Sequence, residues 1–355
     1  MDKDKLKALT AQEILAIKPD NPEQLFTQDN MMEELSLLRR QWHPDRNTSS
    51  DAKDVFQHVE ILFHEAEMRK ELGTWRGAAC IRVETNKGFL KFNYVAIHEF
   101  ELGKMYIGRK KVLFIIERAS PEHERLFDRG CWVLGNLRFA NDKMREDFAR
   151  YFPKPDLISK HSQHEPMCLM FDKTDEVACL ADLLEKFGGK LEPRHVAWVI
   201  SRLLNIAMFL QYNQISHQAI TLQTCFVSGP MHQMLLYGGW WYNAKIGEPV
   251  KNVLGELKPF FPAALLTEKR ANLNTDRSLI GALGFQLLGD TTGTGMALRK
   301  DSTIPEPMIR TLSSLGYFDD GLEAMKAWKD CLFECFGQRR FIELPGSHAS
   351  EIYNH

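Results

Sequence analysis

Apolar residues recur at helical spacing along the first part of the chain. Met31, Met32, Leu35, Leu38 and Trp42 form one such series, and Phe56, Val59, Leu62, Phe63 and Ala66 form a second. Pro44 disfavours helical backbone at the residue before it, so the first helix is expected to stop at His43. The second is expected to start after Asp51. Two amphipathic helices with a short connection predict an antiparallel hairpin whose exposed loop carries His43, Pro44 and Asp45. Upstream, residues 11–17 predict a short helix, and residues 18–30, with Pro19 and Pro22, a long connection.

From residue 77 the pattern changes. Gly73 and Gly77 mark the boundary. Residues 79–83, 89–97, 99–107 and 111–117 read as strands, with turns at Gly103 and Gly108. Residues 120–130 are polar and read as a loop, and residues 131–139 as a strand. Residues 141–152 read as a helix ended by Pro153 and Pro155, and residues 157–161 and 167–172 as strands. Beyond Asp172 the pattern is mostly helical. Residues 178–187 form a short amphipathic stretch closed by Gly188-Gly189. Residues 193–211 form a long one, with Val196, Val199, Ile200, Leu203, Leu204, Ala207 and Leu210 in register. The remainder reads as two strands, a long irregular stretch and further helices. Strands followed by helices predict an α+β fold with a two-lobed domain after the helical hairpin. The expected division is 1–76, 77–173 and 174–355.

Composition narrows the function classes. The 44% apolar and 26% charged content is that of an ordinary globular protein. A net charge of −2 leaves no basis for a nucleic-acid partner. No apolar run approaches the ~18 residues of a membrane helix, and Met1-Asp2-Lys3-Asp4-Lys5 opens no signal peptide. No membrane partner is expected. Seven scattered cysteines without a Cys-x-x-Cys pair suit reduced thiols in the cytoplasm. Cys331 and Cys335 share a helix face and read as core, and His58, His64, His161 and His164 lack metal-ligand spacing. No metal and no cofactor is expected.

The stretch Leu38-Arg39-Arg40-Gln41-Trp42-His43-Pro44-Asp45-Arg46-Asn47 resembles the J-domain of DnaJ-type co-chaperones. Leu35, Leu38 and Trp42 precede the His-Pro-Asp tripeptide, a basic residue and Asn follow it, and Phe56, Val59, Leu62 and Phe63 match the helix that packs back. Residues 11–17 match the family's short first helix. The chain departs from the family in its longer first connection and in thin basic charge, since Glu33 and Glu34 offset Arg39 and Arg40. The cysteine-rich zinc module and Gly/Phe-rich linker of some DnaJ proteins are absent. The resemblance implies a DnaK-type chaperone as partner, met by His43, Pro44, Asp45, Arg39 and Arg40, and stimulation of its ATP hydrolysis.

From about Phe89 onward the chain resembles a eukaryotic-type protein kinase. Residues 215–227, Ile-Ser-His-Gln-Ala-Ile-Thr-Leu-Gln-Thr-Cys-Phe-Val, have the rhythm of the catalytic loop His-Arg-Asp-Leu-x-x-x-x-Asn. Leu235-Leu236-Tyr237-Gly238-Gly239 lies where Asp-Phe-Gly would. Asp276 to Gly281 fits a helix opening Asp-x-x-x-x-Gly, and Phe261-Pro262-Ala263 sits at the Ala-Pro-Glu distance. Residues 336–340 resemble the late loop whose Arg pairs with the Ala-Pro-Glu glutamate, here Arg340 without that partner.

Phosphoryl transfer needs a base, magnesium ligands and a phosphate-binding lysine. The resemblance puts Ala219 at the base, Thr224 at the Asn, and Tyr237 or Gly238 at the magnesium Asp. The strand lysine has no match: residues 132–138 offer Arg138, and residues 113–117 offer Glu117. Gly103 and Gly108 have the wrong spacing for a phosphate loop. His217 and Asp276 are kept, and the resemblance gives both architectural roles. It therefore implies a pseudokinase that selects an unknown client. An active kinase recruiting Asp172, Asp175 or Glu176 is the enzyme alternative, and a J-like adaptor that binds without stimulating is another. Trp240-Trp241-Tyr242 reads as core.

Overall fold

The computed structural model describes residues 3–19, 21–72, 79–160, 165–250, 255–338, 340 and 342–353. They gather into two compact units, Met1–Val95 and Ala96–His355. The fold mixes helix and sheet, with a helical region first and a sheet-containing region after it. No helix among the described residues is long and apolar enough to cross a membrane.

The first unit holds α1 (Lys3–Ala8), α2 (Ala11–Leu15), α3 (Met31–Trp42), α4 (Ala52–Leu72) and an antiparallel hairpin of β1 (Ala79–Thr85) and β2 (Gly88–Tyr94). α2 starts on a capping box: the Thr10 hydroxyl accepts from Glu13 N–H, and the Glu13 carboxylate accepts from Thr10 N–H. α3 and α4 pack through Leu35, Leu38, Trp42, Val55, Val59 and Leu62, with Leu6, Ile14, Leu25 and Phe26 filling in from the helices and connection before them. Two expected core positions differ. Met32 is exposed, and Phe56 is half-buried because it sits under the loop, while Val55 takes the core position. The hairpin β1–β2 belongs to this unit, where β1 touches α4. Gly73 and Gly77 lie outside the described residues.

The second unit opens with β3 (Ala96–Phe100), β4 (Gly103–Ile107) and β5 (Lys111–Ile116), continues through α5 (Pro121–Gly135) and α6 (Asp142–Phe148), and returns with β6 (Pro155–Ser159) and β7 (Met167–Asp172). The strands form one antiparallel sheet in the order β3-β4-β5-β7-β6. The strand expected over 89–97 divides at Val95, and the one over 99–107 turns at Glu101-Leu102. The helix expected over 141–152 is α6 followed by a 3-10 turn at Ala149–Tyr151.

The loop expected over 120–130 and the strand over 131–139 are instead α5. Ser120 caps it by accepting from His123 N–H, Pro121 fits its first turn, and Leu126, Phe127, Gly130, Val133 and Leu134 bury one face. Residues 132–135, offered as part of a lysine-bearing strand, are helical.

Next come β8 (Ala178–Cys179), α7 (Leu180–Lys186), α8 (Pro193–Tyr212), β9 (Ile215–Ser216), β10 (Cys225–Ser228), β11 (Gln233–Leu236) and β12 (Ala244–Lys245). β11, β10 and β8 form a small sheet, and β12 pairs with β9. The chain closes with α9 (Ala263–Glu268), α10 (Asn274–Leu287), α11 (Glu306–Ser314), α12 (Gly321–Phe336) and α13 (Ala349–Ile352). α8 is the centre of this part: Val196, Ile200, Leu203, Ile206 and Leu210 are fully buried, and α8 packs on both α10 and α12.

Candidate functional site

The His43-Pro44-Asp45 loop joins α3 to α4 in the first unit. α3 ends where Pro44 requires, with His43 in an extended conformation. The His43 carbonyl accepts from both Arg46 and Asn47 N–H at 2.9 Å, and Asn47 Nδ2 donates to the Gln41 carbonyl at 2.9 Å. Asp45 N–H donates to His43 Nδ1 at 3.1 Å, so the ring proton sits on Nε2. The imidazole rests edge-on against Phe56 of α4, 5.5 Å between centroids. The side chain of His43 is 43% exposed and that of Asp45 86%. The loop is thus a stiff turn that presents a donor and a carboxylate to solvent.

Arg39 and Arg40 both face outward. Arg39 is bound bidentately by Glu60 of α4 at 2.6 Å, so it ties the hairpin together and is not a free charge. Of the two acids expected to offset them, Glu34 is buried and accepts from Thr27.

In the second unit, the loop between β9 and β10 carries His217, Ala219 and Thr224, and Asp276 comes to it from α10. The Asp276 carboxylate accepts from His217 N–H and Gln218 N–H, both at 2.8 Å. That bidentate grip holds Gln218 at φ 64, where a side chain is strained. Burial pushes Asp276 up to about 6, while the two amide donors and Arg277 pull it down. His217 is fully buried, held edge-on to Trp240 at 4.8 Å, and burial pushes its pKa down to about 3. Ala219 is fully buried. Thr224 Oγ1 donates to the Ala219 carbonyl at 2.6 Å and accepts from Thr221 N–H at 2.9 Å, which closes the loop on itself.

Tyr237, Gly238 and Gly239 follow β11. Gly239 has φ 80, and a Cβ there would stand 2.7 Å from His217 Cε1. A Cβ at Gly238 would meet Thr224 Cα at 3.3 Å and Phe114 at 3.4 Å. Trp240, Trp241 and Tyr242 are core, and α5 approaches them so closely at Gly130 that a Cβ would lie 3.2 Å from Trp241 N. The side chain of Ala263 lies outside the described residues.

These residues border a cavity of about 390 Å³. Thr221, Thr224, Gly238 and Gly239 form one side, Phe100, Phe114 and Trp241 the aromatic wall, and Glu99, Glu101 and Glu256 the rim. Among the described residues, no lysine or arginine lines it. Asp172, Asp175 and Glu176 do not line it, and the Asp172 carboxylate is engaged by Lys111 Nζ at 2.6 Å. Phe114 and Trp241 were not singled out from sequence as site residues. Nothing local marks Phe114, since residues 112–116 are one continuous apolar run.

One further cluster brings donor atoms of His98, Cys179 and Asp182 within 4.8 Å of one another. His98 Nε2 lies 2.7 Å from Asp182 Oδ1, and Tyr353 Oη donates to Asp182 Oδ2 at 2.8 Å and accepts from Cys179 N–H at 2.9 Å. Burial pushes the Cys179 thiol up, and it donates to backbone carbonyls. Those are hydrogen-bond lengths around a neutral thiol, so the cluster reads as a tie between β3, α7 and α13. His161 and His164 lie outside the described residues.

No family model matches the chain, and no curated protein matches its sequence.

Proposed function

We propose that this chain is a J-domain-type co-chaperone whose second unit is a kinase-like scaffold without phosphotransferase chemistry. The observation that carries the reading is the loop itself. His43, Pro44 and Asp45 stand on a braced turn between two packed helices, with the imidazole oriented by Phe56 and by Asp45 N–H. A DnaK-type chaperone is the partner this loop is suited to, with the exposed Arg40 beside it.

The kinase-like part of the reading is supported by order and by chemistry. An antiparallel five-stranded sheet with a helix after its third strand precedes a helical part, and there a buried carboxylate holds the loop at the catalytic position. Catalysis of phosphoryl transfer rests on magnesium-binding carboxylates and a phosphate-binding cation. Here the corresponding positions are Ala219, Thr224 and Tyr237 or Gly238, the strand lysine has no match, and the rim is acidic. Such a unit is suited to binding a client protein. Seven free thiols favour a reducing compartment such as the cytoplasm.

The test is the ATP turnover of a DnaK-type chaperone with this protein added. Turnover rises with the wild type, and His43→Gln and Asp45→Asn remove the rise while leaving circular dichroism and Tm unchanged. Binding to the chaperone without stimulation would make the protein an adaptor. No binding, or equal stimulation by both variants, would overturn the reading.

A further inference from the structure

Tyr237 is 1% exposed. Its ring sits 4.7 Å from Phe226 on β10 and edge-on to Phe171 on β7 at 5.6 Å. Its hydroxyl donates to the backbone carbonyl of Asp172, the last residue of β7, at 2.9 Å. The row of rings continues: Phe171 meets Phe114 at 6.0 Å, Phe114 meets Trp241 at 5.3 Å, and Phe100 stacks on Trp241 at 5.1 Å. One unbroken aromatic wall therefore runs from the small sheet carrying β10 to the edge strand β3.

The open cavity lies along one side of this wall. Its lining includes Phe100, Phe114 and Trp241 but neither Tyr237 nor Asp172. On the kinase-like reading, the phosphates and magnesium would sit in this open part, beside the β3–β4 turn, the third strand and Gly238. That part offers Glu99, Glu101 and Glu256 and, among the described residues, no lining cation, although Glu99 is itself paired with Lys104 at 3.0 Å. A triphosphate would meet repulsion there. A flat base would have to lie deeper, against the end of β7, where a phenol already fills the space and already uses the carbonyl.

We propose that Tyr237 is a built-in occupant of the nucleotide cleft, a side chain that takes both the space and the backbone acceptor a purine would need. The inference rests on the kinase-like reading of the second unit. It makes that unit more than catalytically silent: the cleft is closed to nucleotides and held in one shape, independent of cellular ATP. Removing the ring leaves a slot bounded by Phe226 and Phe171 that suits a neutral heteroaromatic molecule, while the acidic rim still disfavours a triphosphate.

Calorimetric titration of the full chain with adenosine, ATP and ATP with magnesium tests this. The wild type is expected to bind none of them with Kd below about 1 mM. Tyr237→Phe keeps the ring and frees the Asp172 carbonyl, and it too is expected to bind none. Tyr237→Ala is expected to bind adenosine, and ATP at least about tenfold more weakly. Binding of adenosine or ATP by the wild type overturns the proposal, and it does so even where Tyr237→Ala fails to fold. A folded Tyr237→Ala that binds neither ligand also overturns it. Nucleotide binding without phosphate transfer removes this inference and leaves the scaffold reading intact, whereas phosphate transfer removes both.

Discussion

Single residues in this protein carry their roles through what they touch. Gly239 is the sharpest case. Its φ of 80 suits only glycine, and a Cβ would press on His217 and on Ala219 at 2.9 Å. Gly239→Ala is expected to destabilise the second unit by roughly 1–3 kcal/mol, the usual cost of a strained backbone position, measured by denaturant unfolding. An unchanged midpoint would mean the segment relaxes freely. Arg39 and Arg40 separate in the same way. Arg39→Ala breaks an exposed bidentate pair with Glu60 and is expected to cost at most about 1 kcal/mol. Arg40→Ala is expected to leave stability alone and to weaken the salt-sensitive part of chaperone binding, read from affinity across an ionic-strength series. Ala219→Asp would place a carboxylate in a fully buried position next to Gly239. It is expected to yield no autophosphorylation with magnesium or manganese, and radiolabel incorporation by that variant would count against the scaffold reading.

At the scale of elements, α8 is the organiser of the second unit. Leu203 lies fully buried at its middle, so Leu203→Ala is expected to cost ~2–5 kcal/mol, from lost transfer energy and the cavity left behind. A loss well below that, in urea melts, would make the helix peripheral. α5 teaches a different lesson. Its outer face carries the exposed Arg125 and Asp128 beside the half-buried Glu122, Glu124 and Arg129, and a charged face reads as a loop when its apolar stripe is narrow. Its buried face meets the 240–242 segment, and the Gly130 approach allows it.

For the molecule as a whole, His217 and Asp276 are two buried groups that shape the acid response. His217 has a folded pKa of about 3 against 6.5 ordinarily, so the folded state takes up fewer protons than the unfolded state between those values. Its contribution to stability is present above pH 6.5 and is lost as pH falls toward 3. Asp276 has a folded pKa of about 6 against 3.8, so its burial weighs on stability above pH 6 and is relieved as pH falls to 3.8. Between pH 6 and 3.8 the slopes of these two groups oppose, and His195, whose pKa burial also lowers, adds to the His217 slope. His217→Gln should therefore raise Tm relative to the wild type progressively as pH drops from 6.5 to 4, each curve referenced to its own value at pH 7. Parallel curves would show that His217 does not set the acid limb.

The sequence by itself determined the first unit's hairpin, its stop at His43 and the exposure of the His-Pro-Asp loop, because those follow from local rules: apolar spacing along α3 and α4 and the effect of Pro44 on its neighbour. It also determined that Ala219, Thr224, Tyr237 and Gly238 carry no carboxylate, since residue identity needs no fold. The α+β character and the central helix were legible for the same reason, as long runs with a clear period. Only the tertiary structure decided the rest. α5 required knowing what its narrow apolar face packs against. Arg39 proved to be a tie because Glu60, distant in sequence, comes beside it. Asp276 grips the loop across about sixty residues, a span no local pattern encodes. Along the chain, the kinase resemblance marks Tyr237 or Gly238 only as a position without a carboxylate. The Tyr237 ring is buried against Phe171 and Phe226 because β7, β10 and β11 converge there, and convergence of distant strands is a property of packing.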